Sequence, residues 1–304
     1  MSPKSVVVTG AGSGIGLAVT LELAHAGFDV IGTVRSEQKA EVLRARVERT
    51  GAAVRTVLLD VADATSTVQA LTEIAMMTDG GPWAVVNNAG FAQPGAIEDV
   101  DDEQVRRQLE TNLVGPARIA RLVLPTMRER RAGRIVNISS ISGRVSSPML
   151  GWYCASKQGL EAVTDALRME TAPFGVKVVL IEPGAYASGI WQQSAGLLPD
   201  AQSSAYSDQY AAVDDILRRE LPGPRPVALA VLKALTAPRP LPRYLVGSGA
   251  RSSAVLDAAL PTAATDLAKQ LATGLRTAPP RLTRAVDRVR GVLNRRTNQA
   301  AGRG

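Results

Sequence analysis

Seven short runs rich in β-branched residues recur along the chain: SVVVT (5–9), DVIGTV (29–34), VRTVLL (54–59), AVVNN (84–88), RIVNIS (134–139), VKVVLI (176–181) and RYLV (243–246). They are apolar nearly throughout instead of alternating, which is the pattern of strands covered on both faces. Between them lie segments long enough for crossover helices, at 14–26, 36–49, 64–78, 102–131 and 152–172. Strand, helix, strand in repetition predicts parallel pairing with right-handed crossovers. The expected fold class is therefore α/β: a doubly wound central parallel sheet of seven strands flanked by helices.

The rhythm stops after Pro183 and Gly184. Residues 185–226 are small and polar, with a helix predicted near 206–220 and the break LPGPRP at 221–226. Ligands of doubly wound proteins sit at the carboxyl ends of the strands, so an excursion after a late strand is placed to cover them. We read 185–226 as a substrate lid; the alternative is a surface insertion without function. Residues 1–253 then form one domain, 254–275 add a further helix (254–273), and 276–304 form a tail.

The 304 residues are 45% hydrophobic and 21% charged, which excludes a disordered or fibrous chain. Cys154 is the one cysteine, so no internal disulfide is expected, and the start MSPKSVVVTG lacks the basic and apolar regions of a leader. A reducing, cytoplasmic setting is expected. No run approaches the roughly 18 apolar residues of a spanning helix. The net charge of +7 resides in the tail, where eight arginines face the single acid Asp287 and leave the body up to Leu275 formally neutral.

The first strand runs into TGAGSGIG (9–16), with Gly10, Ser13, Gly14, Ile15 and Gly16 at a turn that opens a helix. Glycines let backbone approach a diphosphate, and a helix amino terminus directs N–H groups and a positive dipole end at it. The second strand ends in TVRS (33–36). An acid there would accept from a ribose diol; Arg35 instead suits the 2′-phosphate, so NADP(H) is preferred over NAD(H). After the third strand, Asp60 and Val61 are placed to meet an adenine, or Asp60 caps a helix. Tyr153 and Lys157 lie four apart on one predicted helix and project from one face. A phenol with pKa near 10 needs its anion stabilised to move protons at neutral pH, and an adjacent ammonium does that.

Taken together, TGAGSGIG (9–16), Asp60-Val61, NNAG (87–90), Asn112, RIVNISS ending in Ser140, YCASK (153–157) and Pro183-Gly184 resemble the short-chain dehydrogenase/reductases, in the branch of Rossmann-type enzymes of about 250 residues. The motifs occur in family order across residues 5–184, and Ser140 precedes Tyr153 by 13 residues, as in the family. The resemblance implies that Ser140 hydrogen-bonds the substrate oxygen, Tyr153 gives or takes its proton, and Lys157 binds the nicotinamide ribose while lowering the tyrosine pKa. Asn112 would interrupt its helix and hold a relay water. Asn87, Ala89 and Gly90 would contact cofactor and support the sheet, and Pro183, Gly184, Tyr186 and Ser188 would bind near the carboxamide. The family often has threonine where Ser188 stands and a small aliphatic residue where Tyr186 stands. RYLVGSGA (243–250) looks like the closing strand of hydroxysteroid and retinol dehydrogenase-like members, which suggests an apolar substrate.

The activity so implied is an NADP(H)-dependent interconversion of an alcohol with a ketone or aldehyde by a homodimer or homotetramer formed across helices 102–131 and 152–172. The alternative is a non-catalytic dinucleotide-binding sensor or scaffold acting through the tail, which has no chemical need for the Ser-Tyr-Lys-Asn set. No metal is expected: His25 is the only histidine and lacks a second imidazole or cysteine nearby. No serine elbow supports a hydrolase, and Cys154 should point away from Tyr153 as its helix neighbour.

In the tail Leu282, Val286, Val289 and Leu293 fall at helical spacing, with arginines largely on other faces. It would be a basic amphipathic helix in peripheral contact with an anionic membrane or a partner, or else a solvated terminus. Nucleic acid is disfavoured as a partner by the few aromatics and the lack of a recognised binding fold. If the tail binds membranes, co-sedimentation with anionic vesicles falls as salt rises and vanishes on deletion of 277–304. Equal sedimentation of the deleted and full chains would contradict it.

Overall fold

The computed structural model describes residues 3–188, 190–199, 204–217 and 220–276. The chain divides into two compact units, Met1–Ala259 and Leu260–Gly304. The first unit holds seven strands, β1 (Ser5–Thr9), β2 (Asp29–Val34), β3 (Val54–Leu58), β4 (Ala84–Asn87), β5 (Gly133–Ile138), β6 (Val176–Pro183) and β7 (Arg243–Val246), in one sheet of order β3-β2-β1-β4-β5-β6-β7. Every pairing is parallel. This is the doubly wound α/β architecture expected.

Burial on both sheet faces explains the unbroken apolar runs. On β1, Val6 and Val8 enter one core cluster and Val7 the other. The first cluster collects α1 (Gly14–His25), α2 (Glu37–Glu48) and a later helix; the second collects α3 (Ala64–Met77) and the helix before β5. Side-chain caps fix several helix starts: Ser36 accepts from Lys39 N, Asp63 from Ser66 N, and Asp101 forms a capping box with Gln104.

Departures from expectation have local causes. The predicted helix at 102–131 is three pieces, α4 (Asp102–Leu109), a π turn at Glu110–Val114, and α5 (Gly115–Glu129). The π turn holds Asn112, whose side chain is bonded to the Phe91 backbone. After α6 (Gly151–Thr171) and β6, the excursion contains α7 (Ile190–Ala195) and α8 (Ser207–Leu217). A helix not anticipated follows, α9 (Arg225–Thr236), with Pro226 in its first turn, where a missing N–H costs nothing. Its Val227, Ala228, Val231 and Leu235 pack in the same cluster as Val19 and Leu23 of α1.

The single helix expected at 254–273 is instead two: α10 (Ser248–Ala259) and α11 (Thr262–Ala272). Pro261 separates them, because proline disfavours helical backbone at the residue before it. Among the described residues no helix is long and apolar enough to cross a membrane. Residues 277–304, where the amphipathic tail was expected, lie outside the described residues.

At the centre of the sheet Asn87 and Asn137 are register partners, and their buried amides link β4, β5 and α6: Asn87 Nδ2 donates to Asn137 Oδ1 at 2.8 Å, and Asn137 Nδ2 donates to Thr164 Oγ1 at 2.8 Å. Asn137→Ala strands polar atoms on both neighbours and should lower the unfolding free energy by about 2 kcal/mol in chemical denaturation. A loss under about 0.5 kcal/mol would mean the amide chain contributes little.

Candidate active site

The strand order reverses between β1 and β4, and ligands of open α/β sheets bind at the carboxyl ends of strands beside that point. The loops there are stapled together. Thr9 Oγ1 accepts from Asn88 N and Ala89 N, each at 2.9 Å, and Asn88 Nδ2 donates to Thr9 O and Gly10 O. Gly16 is needed for this closeness, since a Cβ there would stand 2.2 Å from Gly10 O and 2.5 Å from Asn88 Nδ2. Gly10 has φ of +67°, a left-handed backbone that glycine adopts without cost.

A cleft of about 560 Å3 opens over these loops. Its lining includes Gly10, Ser13, Ile15, Gly16, Arg35, Asp60, Val61, Ala89, Gly90 and Ser188 of the residues expected at a cofactor. Gly14 stands beneath the segment after β6: its Cβ would meet Ser188 O at 2.0 Å, so that segment rests on the turn. Ile190, Gln193 and Leu197 continue this wall. Ser13 makes no side-chain cap, so the first N–H groups of α1 face the turn uncapped by it.

Arg35 is not alone. Lys39, in the first turn of α2, and Arg46 line the same edge, and Arg46 Nη1 donates to Gly12 O at 3.4 Å. Burial and the Arg35 charge hold the Lys39 pKa below its ordinary value, which marks the two cations as neighbours. Asp60 is the acid among the cleft's lining residues. A glycine turn, a helix amino terminus and a cationic edge fit a dinucleotide carrying an extra phosphate. Lys39 and Arg46 lie outside the sequence motifs, and Thr9 and Asn88 stand within TGAGSGIG and NNAG without any sign in the sequence that they bond to each other's loops.

Asn87, expected to contact cofactor, does not line the cleft; its side chain lies in the sheet against Asn137. Gly184 N donates to Val246 O at 2.9 Å, and the buried Tyr186 ring packs in the core with its hydroxyl toward Gly247. Pro183 ends β6, and Pro183, Gly184 and Tyr186 are not among the cleft's lining residues, whereas Ser188 is.

Ser140, Tyr153, Lys157 and Asn112 are all buried, at 6%, 3%, 5% and 1% exposure, and lie outside that cleft's lining. Ser140 caps a short 3-10 turn after β5, its Oγ accepting from Ser142 N at 3.1 Å, and it is hydrogen-bonded to Tyr153. Lys157 Nζ donates to Ile138 O at 2.9 Å and stands 5.9 Å from the centre of the Tyr153 ring. Asn112 Nδ2 donates to Ser156 Oγ at 3.1 Å and to Phe91 O, tying the π turn to α6. Met149, with φ of +62°, sets the entry to α6 by accepting from Gly95 N at 2.8 Å.

Burial pushes the Tyr153 pKa up to about 12, with the Ser140 hydrogen bond pulling it down and Cys154 pushing it up. Burial also pulls Lys157 down to about 8, opposed by the Glu161 carboxylate. Desolvation disfavours the charged form of each, and it dominates here. Cys154 Sγ lies 3.8 Å from Val145 O, in the fold interior as expected.

The short chain dehydrogenase family profile matches residues 4–196. The chain is 40% identical over 220 residues to an oxidoreductase of Bacillus subtilis, YusZ, covering 70% of this chain and 76% of that one. It is 34% identical over 252 residues to the NADPH-dependent 3-dehydrocapnine reductase of Ornithobacterium rhinotracheale, covering 80% and 88%. A solved short-chain dehydrogenase from Streptomyces avermitilis superposes with a TM-score of 0.74 at 30% identity, covering 91% of this chain and 99% of that one. With the seven-stranded parallel sheet and the glycine turn at its switch point, these likenesses place the chain in the short-chain dehydrogenase/reductase family, as an oxidoreductase acting on CH–OH groups.

Proposed function

We propose that this chain interconverts an alcohol with a ketone or aldehyde, using NADP(H) in preference to NAD(H), with Tyr153 as general acid/base. The observation that carries the reading is the Ser140–Tyr153 hydrogen bond, buried beside Lys157 at the carboxyl end of β5. The nicotinamide dinucleotide supplies or accepts the hydride; the protein's share is orientation and the proton. Gly10, Ser13, Gly14, Ile15 and Gly16 would hold its diphosphate, Asp60 and Val61 its adenine, and Arg35 with Lys39 and Arg46 its 2′-phosphate. Ala89, Gly90, Pro183, Gly184, Tyr186 and Ser188 would border its other half, and Asn87 would act through the sheet.

With a pKa near 12 the Tyr153 phenol stays protonated at neutral pH, so the protein alone is set to donate a proton to a carbonyl oxygen that Ser140 orients. Lys157 would contribute positive charge beside that oxygen while it remains an ammonium. The Asn112 amide is engaged by Phe91 and Ser156, so it is the widened backbone of the π turn that would hold a relay water.

Residues 185–226 are read as the substrate lid. Ser194 Oγ donates to Ala92 O, and Gln93 Nε2 donates to Leu197 O, each at 2.6 Å, while Tyr210 and Ser204 both donate to Asp99. Ala96, Met149, Tyr210 and Val213 form a buried apolar cluster that packs the excursion down, and the reading of an apolar substrate rests on the likeness of RYLVGSGA (243–250) to retinol dehydrogenase-like closing strands. Exposed Leu122 on α5 and Val163 on α6 support the homo-oligomer across those helices. A sensor or scaffold acting through the tail is not favoured, since it would have no use for the buried Ser140–Tyr153 pair.

Tyr153→Phe should keep NADPH binding, read by cofactor fluorescence, while kcat on a carbonyl compound found in a screen falls about 10²–10⁴-fold. In the unaltered enzyme reduction should weaken as pH rises through about 8, where Lys157 loses its charge and Tyr153 is still protonated. A near-normal rate for the variant would remove the mechanism. Replacing Arg35 and Lys39 together by alanine should raise KM for NADPH about 10–100-fold and leave that for NADH nearly unchanged. Equal changes for both cofactors would contradict the 2′-phosphate assignment.

A further inference from the structure

Tyr153, Lys157 and Glu161 follow one another at four-residue spacing on α6, and all three are buried. Side chains so spaced overlie one another on a helix face. A carboxylate buried mid-helix carries a large desolvation cost unless charges around it compensate.

Those charges come from several elements. From β7, Arg243 places Nη2 3.3 Å from Glu161 Oε2, pairs with Asp165, and reaches Glu182 of β6 through Nε at 3.2 Å. Glu182, fully buried, is held through both oxygens by Arg144 of the turn after β5. Asp165, one turn further along α6, also pairs with Arg168. Burial pushes the Glu161 carboxyl up and so does Glu182, while the Ser139 hydroxyl and the guanidinium groups of Arg243 and Arg144 pull it down.

The end of β5 meets both members of the pair. Ile138 O accepts from Lys157 Nζ, and the next residue, Ser139, faces Glu161 across Gly143. A Cβ on Gly143 would lie 2.7 Å from Ser139 Oγ and 2.9 Å from Glu161 Cγ, so this approach requires glycine there. A clamp of α6 on β6 and β7 would account for the Arg243 bridges alone. It does not account for Glu161 lying buried one turn beyond the buried Lys157, with the two side chains set against consecutive residues, Ser139 and Ile138, at the end of β5.

We propose that Glu161 is a positioning residue for Lys157: its buried carboxylate, one turn further along α6 and anchored by Arg243, holds the amine in the ammonium form. The use of that charge rests on the proposed role of Tyr153; the pairing itself does not.

Carbon NMR of lysine Cε in the full chain tests the pairing without a substrate, with the Lys157 signal identified as the one lost in Lys157→Arg. Glu161→Gln should lower the Lys157 titration midpoint by about one pH unit, a tenfold change in the ammonium-to-amine ratio. Glu161→Asp should restore most of it. Gly143→Ala, which pushes the carboxylate aside without removing its charge, should also lower the midpoint and serves if Glu161→Gln does not fold. A purely structural role would alter stability and leave the midpoint in place, and an unmoved midpoint in a folded variant overturns the proposal. Near-normal turnover of Tyr153→Phe would instead sink the catalytic reading and leave the pairing intact.

Discussion

Two ionisable side chains, a phenol and an amine one helical turn apart, are taken out of water together at the start of α6. Burial disfavours the charge of each, so Tyr153 is held as a neutral acid and Lys157 is brought toward neutral pH. What surrounds them manages that cost. Ser140 gives the phenol a polar partner, Ile138 O receives the amine, and Asn112 fastens the π turn to the same helix through Ser156.

The sheet decides where this pair can stand. Reversal of strand order between β1 and β4 opens a crevice, and the loops on either side are drawn together by Thr9 and Asn88 until only glycine fits at position 16. The cleft above this crevice has cations on one edge and the post-β6 segment as its other wall. Ser140 leaves the next strand but one, so the Ser140–Tyr153 pair and the glycine turn share one end of the fold while remaining in separate surroundings.

Much of this is legible in the amino-acid sequence. The run 29–34 matches β2 to the residue, because a strand buried on both faces leaves little to break its apolar pattern, and 243–246 matches the edge strand β7, which is only partly buried. Helix α9 escapes because Pro222, Pro224 and Pro226 read as a break, although proline is tolerated in a first turn. The π turn can be inferred only from likeness, since its cause is a tertiary bond from Asn112 to Phe91. Spacing places Tyr153 beside Lys157 but does not say how dry they are, and dryness sets the direction of both pKa shifts. Asn87 looks like a cofactor contact in sequence because its partner, Asn137, is fifty residues away along the chain.

A crystal structure of the full chain with NADPH tests the account most directly. It predicts the diphosphate over Gly10–Gly16, the 2′-phosphate against Arg35 and Lys39, and the nicotinamide ring beside the Tyr153 and Ser140 hydroxyls. A dinucleotide bound elsewhere, or a Tyr153 hydroxyl turned away from the ring, would contradict it.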